Sequence, residues 1–325
     1  MENLQFLAEY DKSLRPKNFE QYIGQRKVVD RMKIYVQAAM NRREALDHVL
    51  LSGPPGLGKT TMAHVIAREM GVVLHTTSGP VIEKSGDLAA LLTQLNAGDV
   101  LFIDEIHRLS PAIEEILYPA MEDFQLDLMV GEGAGARSMR LDLQPFCLIG
   151  ATTKPGSLTP PLRDRFGIHT RLEFYDHSEL AEILFQSCKK LNLSIQIESL
   201  VILAMCSRGT PRIALRLLKR LRDFIEVHQI SNPEPKDISI YLKELEIDNL
   251  GLDHFDRTLL NCIHTRYAGG PVGLETLATS LGESKETIED IIEPYLVQEN
   301  FLQRTARGRK LTDKAIMHLK SIKII

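Results

Sequence analysis

The stretch Gly53–Thr61, with the sequence Gly-Pro-Pro-Gly-Leu-Gly-Lys-Thr-Thr, constrains the fold more than any other part of the chain. It fits the pattern G-x-x-x-x-G-K-[ST], in which glycines let backbone N–H groups face phosphate oxygens. An apolar run at 48–51 precedes it and a helical pattern at 62–70 follows it. A helix N-terminus after a strand and a glycine loop favours anions. We therefore expect Lys59 to reach bound phosphates and Thr60 to offer Mg²⁺ a hydroxyl; a ligand-free glycine turn is the less favoured alternative.

Composition limits the classes of protein that the chain can belong to. Its 325 residues with 44% hydrophobic content predict two or three domains with buried cores, and its net charge of −4 excludes a globally basic nucleic-acid binder. The four cysteines lack metal-ligand or paired spacing, which favours thiols in a reducing compartment. No apolar run reaches the roughly 18 residues of a membrane span, and the N-terminus lacks signal-peptide features. We expect a soluble cytoplasmic protein.

Short apolar runs alternate with helical patterns from residue 60 to residue 175, which predicts an α/β fold with a doubly wound parallel sheet. The predicted strands are 72–77, 100–103 and 146–152, and the predicted helices are 26–40, 88–96 behind Asp87 as cap, and 111–123 behind Ser110 as cap. From about residue 178 the pattern becomes helical. We therefore predict a large domain at 1–178, a small helical domain at 179–250 and a third domain at 251–325.

Two adjacent acids end the strand at 100–103. Asp104 is expected where a parallel strand delivers a side chain to a nucleotide crevice, and Glu105 could polarise an attacking water. Adjacent acids after a strand are also ordinary turn residues. Their place some fifty residues after the glycine loop favours the catalytic interpretation, and hence a nucleotide hydrolase.

Residues 124–143 predict a β-hairpin, because apolar residues alternate on two arms around the glycine-rich segment 131–135. The hairpin is either a purely structural element or a docking site for a partner, since its apolar side chains would project beyond the main sheet.

Three later positions point to phosphate chemistry. Thr153 follows the strand at 146–152 and places a hydroxyl at the crevice. In the proline-started turn that follows, Arg163 and Arg165 flank Asp164: one arginine can pair with this acid, and the other would be free to point outward, as an arginine finger donated to another subunit must. Arg212 stands at a helix start, where a cation opposes the helix dipole and needs an anion such as phosphate.

The order of elements after residue 251 predicts a winged helix: three helices followed by a basic two-stranded turn around Gly308. The longest of these helices is acidic, whereas the segment 303–310 carries Arg304, Arg307, Arg309 and Lys310 and no acid. We expect this turn to touch the backbone or minor groove of DNA with weak base-specific reading. A solvated basic turn is the alternative.

With these residues assembled, the chain resembles the AAA+ ATPases and, among them, the RuvB family of bacterial Holliday-junction branch-migration motors. The resemblance spans nearly the whole length. Its marks are Leu14-Arg-Pro, Tyr22-Ile-Gly-Gln, Gly53–Thr61, Leu101–Leu109, Met121–Phe124, Ile149–Thr153, Leu162–Gly167, Gly209–Arg212 and Gln303–Arg309.

The resemblance implies roles for individual residues. The nucleotide, ATP or ADP, would be held by Leu14, Arg15, Tyr22 and Ile23 at adenine, by Gly56, Gly58, Lys59, Thr60 and Thr61 at phosphate, and by Glu122, Asp123, Phe124, Tyr175 and Arg212 nearby. Thr60 and Asp104 would hold Mg²⁺, Glu105 would complete the Walker B pair, and Thr153 and Arg212 would be sensors. Arg165 would reach a neighbouring subunit's γ-phosphate, and Arg304, Arg307 and Arg309 would contact DNA.

The resemblance also implies partners: Holliday-junction or duplex DNA, further copies of the chain in a homohexamer, RuvA through the 124–143 hairpin, and a complex with RuvC. The expected activity is ATP-driven branch migration in recombination and repair. Two alternatives stay open. A clamp-loader-like subunit would end in a purely helical collar without a basic wing, and a nucleotide-switched DNA-binding regulator would have no need of Glu105.

Overall fold

The computed structural model describes residues 14–130 and 137–322. The chain divides into two compact units. The first runs to Asn192 and includes Gly209–Ile213; the second consists of Leu193–Arg208 and the chain from Ala214 onward.

A parallel sheet forms the centre of the first unit. Its strands are β1 (Val49–Ser52), β2 (Leu74–Ser78), β3 (Val100–Asp104), β6 (Cys147–Thr152) and β7 (Ile168–Arg171). In the described residues their order is β2-β3-β6-β1-β7, and every pair is parallel. Since Ser52 pairs with Thr152 and Ile103 pairs with Gly150, three strands end side by side at the carboxyl edge. Bound nucleotides occupy this edge in open α/β sheets.

Helices connect these strands. They are α1 (Arg26–Arg42), α2 (Lys59–Met70), α3 (Ser85–Leu92), α4 (Pro111–Glu122), α5 (Pro160–Asp164) and α6 (His177–Leu191). The predicted helix after the glycine loop is confirmed, and it ends on Gly71 with φ 70°. Helix α4 begins at Pro111 behind Ser110, as predicted. The prediction for α3 was wrong at its start: Asp87 lies in the first turn, where its carboxylate accepts the Lys84 N–H at 2.9 Å.

Strand β7 was not predicted. Only four residues long, it alternates buried Ile168 and Thr170 with exposed polar residues at the edge of the sheet. A run of four residues, three of them polar, carries little periodic signal.

One hydrophobic core cluster of the first unit lies on the side of the sheet covered by α3, α4 and α5, and Phe146 belongs to it. Strand and α2 residues outside this cluster, such as Leu51, Phe102 and Met62, are also buried. His48 crosses between elements, because its Nδ1 accepts the Leu148 N–H at 2.9 Å and its Nε2 donates to the Met121 carbonyl at 3.0 Å. Burial lowers the pKa of this imidazole, which keeps it neutral in that bridging role.

The predicted hairpin is present as β4 (Gln125–Val130) and β5 (Arg137–Asp142), which pair antiparallel. Leu126 and Leu143 are buried in the core of the first unit, so the hairpin base is anchored there. Arg140 binds Asp127 across the two strands through Nε at 2.8 Å. The predicted tip at 131–136 lies outside the described residues.

The second unit holds further helices and a small antiparallel sheet. Helices α7 (Ile197–Met205), α8 (Pro211–His228, whose first turn belongs to the first unit) and α9 (Pro235–Glu244) come first. They are followed by α10 (His254–Tyr267), α11 (Leu274–Leu281), consecutive helical segments Lys285–Thr287, Ile288–Ile292 and Glu293–Gln298, strands β8 (Leu302–Thr305) and β9 (Gly308–Leu311), and α12 (Asp313–Ser321). The predicted winged-helix order is confirmed, whereas α12 was not predicted.

The connection between α9 and α10 is clamped by buried polar groups. Arg208, which follows α7, donates to the Gly251 carbonyl at 3.0 Å and pairs with Asp253 at 2.7 Å and with the buried Asp256. The Tyr295 hydroxyl donates to the Leu250 carbonyl at 2.6 Å. The connection is therefore held from both sides. No helix in the described ranges is long and apolar enough to span a membrane.

Candidate nucleotide site and DNA-contacting wing

The glycine loop precedes α2, and side chains from other parts of the first unit pack closely against it. Gly56 and Gly58 adopt φ values of 84° and 96°, which favour glycine. A Cβ on Gly58 would stand 2.9 Å from the Tyr22 hydroxyl, and a Cβ on Gly56 would stand 3.0 Å from the Cβ of Arg212. The Arg212 N–H donates to the Gly56 carbonyl at 3.3 Å. The loop is therefore built for close approach of other groups, and Arg212 lies against it.

Lys59 carries the main charge of this loop. Its Nζ donates to the carbonyls of Gly53 at 2.8 Å and Pro54 at 2.9 Å. Its pKa is lowered from 10.5 to about 8: burial is the largest cause and Arg212 adds to the shift, whereas Asp104 and Glu105 oppose it. Lys59 and Arg212 repel each other at the start of α2. A bound polyphosphate would neutralise both charges and relieve this repulsion.

Thr60, at the second position of α2, and Asp104, at the end of β3, supply hydroxyl and carboxylate oxygens, which are ligands that Mg²⁺ accepts. The Asp104 Oδ1 accepts the Glu105 N–H at 3.0 Å. Glu105 adopts φ 48° and lies 3.6 Å from Arg108. The donor set thus fits the expected ion, and Glu105 projects from a strained turn beside it.

Two threonines follow one another at the end of β6, and the structure distinguishes them. Thr152 is buried, and its hydroxyl lies 3.0 Å from the His107 Nδ1 and accepts the Lys154 N–H at 3.0 Å. Thr153 lies half-buried, one residue beyond the strand, on the edge where the sequence placed a sensor. His107 was not predicted, because its role depends on the pairing of β3 with β6.

Two tyrosines brace the loop from outside. The Tyr22 hydroxyl donates to the Gly58 carbonyl at 3.4 Å, and the Tyr175 hydroxyl donates to the Leu57 carbonyl at 3.3 Å. Burial raises the pKa of both phenols, so both stay protonated at neutral pH. Lys190 donates to the Leu14 carbonyl at 3.0 Å. The residues expected at adenine are thus fixed to the first unit; Leu14 and Tyr22 are buried, and Arg15 and Ile23 are half-buried.

Arg165 is less free than the sequence suggested. Its neighbour Arg163 pairs with Asp164 at 3.6 Å, as expected of one of the two arginines. Arg165 instead lies over the Tyr118 ring at 4.4 Å and pairs with Glu122 at 3.1 Å. The difference arises because α4 supplies both an aromatic face and a carboxylate. Glu122 and Arg165, both expected near a nucleotide, therefore contact each other directly. Asp123 and Phe124, which are expected there too, follow Glu122 in the chain.

The wing arginines also have partners that the local sequence did not reveal. Glu293, which is fully buried, binds Arg309 Nε through Oε1 at 2.7 Å and Arg304 Nε through Oε2 at 2.8 Å. Glu289 lies 3.4 Å from Arg309. Only 15% of the Arg309 side chain is exposed, compared with 46% for Arg304. Arg307, in the turn between β8 and β9, is exposed.

Comparison with known proteins matches each part of the chain to a family model. The family model described as the Holliday junction DNA helicase RuvB P-loop domain matches residues 14–172, the RuvB AAA lid domain matches 175–248, and the RuvB C-terminal winged helix domain matches 249–320. The chain belongs to the RuvB family.

Solved RuvB structures match nearly the whole chain. The structure titled Thermotoga maritima RuvB Holliday junction branch migration motor is 49% identical, with a TM-score of 0.86, over 95% of this chain and 98% of that one. A variant of Thermotoga maritima RuvB is 50% identical, with a TM-score of 0.87, over 94% and 98% of the two chains. The AAA+ and winged-helix architecture of the RuvB family is therefore confirmed here.

Proposed function

We propose that the chain is an ATP-driven motor that promotes branch migration of Holliday junctions by moving duplex DNA through a ring of six copies, with Mg²⁺ as the metal. Membership of the RuvB family supports ATP hydrolysis and action on DNA. The winged helix argues against a clamp-loader-like subunit, which would lack it. Glu105, beside Asp104, argues against a non-hydrolysing switch.

The proposal of a ring rests on where the cationic side chains of the site lie. Lys59 and Arg212 lie at the glycine loop, whereas Arg165 is held with Glu122 on α4. An arginine finger stabilises charge on the transferring phosphoryl group and contributes strongly to the rate. We infer that Arg165 and Glu122 face the nucleotide of the next subunit and that the hexamer completes each site.

Within the ring, each group would have one task. The N–H groups of the loop and Lys59 would bind the β- and γ-phosphates, Thr60 and Asp104 would hold Mg²⁺, and Glu105 would orient water. Thr153 and Arg212 would report the γ-phosphate to the rest of the chain. The metal, when bound, would neutralise developing charge on the phosphates.

We further propose that the β4–β5 hairpin binds RuvA, in an assembly that also includes RuvC, during recombination and repair in the cytoplasm. The buried base at Leu126 and Leu143 gives the hairpin a rigid mount, and the exposed Met139 offers an apolar contact. The buried thiols Cys147, Cys188, Cys206 and Cys262 are compatible with a reducing compartment.

A mixing experiment tests the shared site. Glu105→Gln removes the base from a subunit's own site, and Arg165→Ala removes the finger that it lends. Each variant alone should hydrolyse ATP at least about a hundredfold more slowly than the unmodified protein. Mixtures should regain activity, because some sites then pair an intact Glu105 with an intact Arg165. Co-assembly is confirmed by capturing one variant through an affinity tag and detecting the untagged other variant with it, and mixed rings without recovery at any ratio would rule out a finger that acts between subunits.

A further inference from the structure

A buried hydrogen-bond cluster lies directly behind Arg165. Glu114 on α4 is 4% exposed, and its Oε2 accepts the Thr159 hydroxyl at 2.5 Å and the Tyr118 hydroxyl at 3.1 Å. The hydroxyl oxygens of Tyr118 and Thr159 are themselves 3.1 Å apart. One carboxylate oxygen therefore fixes two hydroxyl groups from two different helices.

Thr159 and Tyr118 are each connected to Arg165, the first through helix α5 and the second by direct contact. Thr159 is the N-cap of α5 and accepts the Leu162 N–H at 3.4 Å, while Arg165 is the C-cap of the same helix. Tyr118 places its ring 4.4 Å from the Arg165 guanidinium. A five-residue helix has little stability of its own, so tertiary contacts must set its direction.

We propose that Glu114, Thr159 and the Tyr118 hydroxyl are positioning residues that aim Arg165 at the nucleotide of the neighbouring subunit. The proposal rests on the proposed function, because it takes Arg165 to act between subunits. Burying a carboxylate costs free energy unless it is hydrogen-bonded, and an apolar side chain could fill the same space without that cost. The role of the cluster is therefore to fix the orientation of α5 and Arg165 rather than to add stability. A displacement of about 1 Å at a reacting group can cost a hundredfold in rate.

Thr159→Val and Thr159→Ser form the matched pair that tests the proposal. Valine keeps the shape and removes the hydroxyl, whereas serine keeps both the bond to Glu114 and the cap. In steady-state ATPase assays with DNA, Thr159→Val should lower kcat about ten- to a hundredfold and leave the KM for ATP unchanged, because the glycine loop of the same chain is intact. Thr159→Ser should retain most of the activity. Equal kcat for the two variants would overturn the proposal.

The mixing assay separates positioning from general damage. Thr159→Val mixed with Glu105→Gln should recover activity, because the second variant lends an intact finger to the first. Thr159→Val mixed with Arg165→Ala should not recover, because both lend a defective finger. Recovery in the second mixture, or none in the first, would overturn the positioning role. If the mixture of Arg165→Ala with Glu105→Gln also fails, the proposed function itself fails.

Tyr118→Phe is the second variant, to be used in the same mixtures if Thr159→Val does not fold. It keeps the ring beneath Arg165 and removes only the hydroxyl, so we expect a several-fold loss of kcat with an unchanged thermal midpoint. An unchanged kcat in Tyr118→Phe would remove the hydroxyl from the proposal and overturn the cluster as the aiming device.

Discussion

Lys59 carries a buried charge whose protonation is set by its surroundings. With a pKa of about 8, roughly half of the side chains are neutral at pH 8, and a phosphate beside Nζ would restore the proton. The lowered pKa also means that the folded chain binds fewer protons than the unfolded chain between about pH 8 and 10.5, so the cost of burying this group falls, and stability rises, as pH rises through that window.

We therefore predict that nucleotide affinity falls about tenfold between pH 7 and pH 9, because the bound form requires the charged ammonium. Binding of a non-hydrolysable ATP analogue at pH 8 should take up about half a proton per site. Calorimetry in two buffers of different ionisation enthalpy measures this uptake. Lys59→Arg is the control, since arginine stays charged throughout; the same proton uptake in that variant would assign the effect to another group.

Residues of the site differ in how far the sequence could predict them. Lys59, Thr60, Asp104 and Glu105 lie in contiguous motifs, so their identity was predictable without the fold. The surroundings of Arg165 were not predictable, because its partners lie on α4, more than forty residues earlier in the chain. Only the packing of α4 against α5 brings them together.

The wing shows the same limit at the scale of elements. Its order of strands and its basic composition followed from the sequence, and the paired strands confirm the order. The sequence showed that the longest helix is acidic but not what its acids contact, and in the structure Glu293 and Glu289 bind two of the wing arginines. Pairing between a helix and a strand depends on how they pack, which no local pattern contains.

We predict that Arg309 and Arg307 behave differently when each is changed to alanine. Arg309→Ala should lower the free energy of unfolding by about 1–3 kcal/mol, because it removes a partner of the buried Glu293, whereas Arg307→Ala should leave stability unchanged. Denaturant titration followed by circular dichroism measures both.

Measurements of DNA affinity should also distinguish the wing arginines from one another. If Arg307 contacts a phosphate, Arg307→Ala should weaken binding at every sequence and lower the salt slope by about one. Arg307→Lys is the matched control and should keep the slope. Arg304→Ala and Arg309→Ala should weaken binding as well, and for Arg309 the stability measurement decides how much of the loss reflects folding. An unchanged affinity at low salt in all three alanine variants would contradict a DNA-contacting wing.

For the molecule as a whole, the motor that we propose needs a mechanical link between its ATPase parts and its DNA-contacting domain. Within the second unit, that link runs through the connection around Gly251, which the lid residue Arg208 holds together with Asp253 and Asp256. A Cβ on Gly251 would stand 3.1 Å from the backbone of Cys206, so the connection passes close against the lid. His318 on α12 binds Asp248 at 2.7 Å from the other side.

Arg208→Ala should therefore uncouple the two activities. Without the guanidinium, Asp256 is left buried beside a loosened connection, and motion of the lid is transmitted poorly to the winged helix. We expect ATP hydrolysis and DNA affinity to stay within about twofold, while the amount of branch migration per ATP consumed falls at least about fivefold, since buried charge pairs are strongly coupled to local geometry. Arg220→Ala, which removes an exposed pair with Asp223 on α8, is the matched control and should keep the ratio. A parallel loss of hydrolysis and branch migration in Arg208→Ala would instead assign Arg208 to the fold of the lid alone.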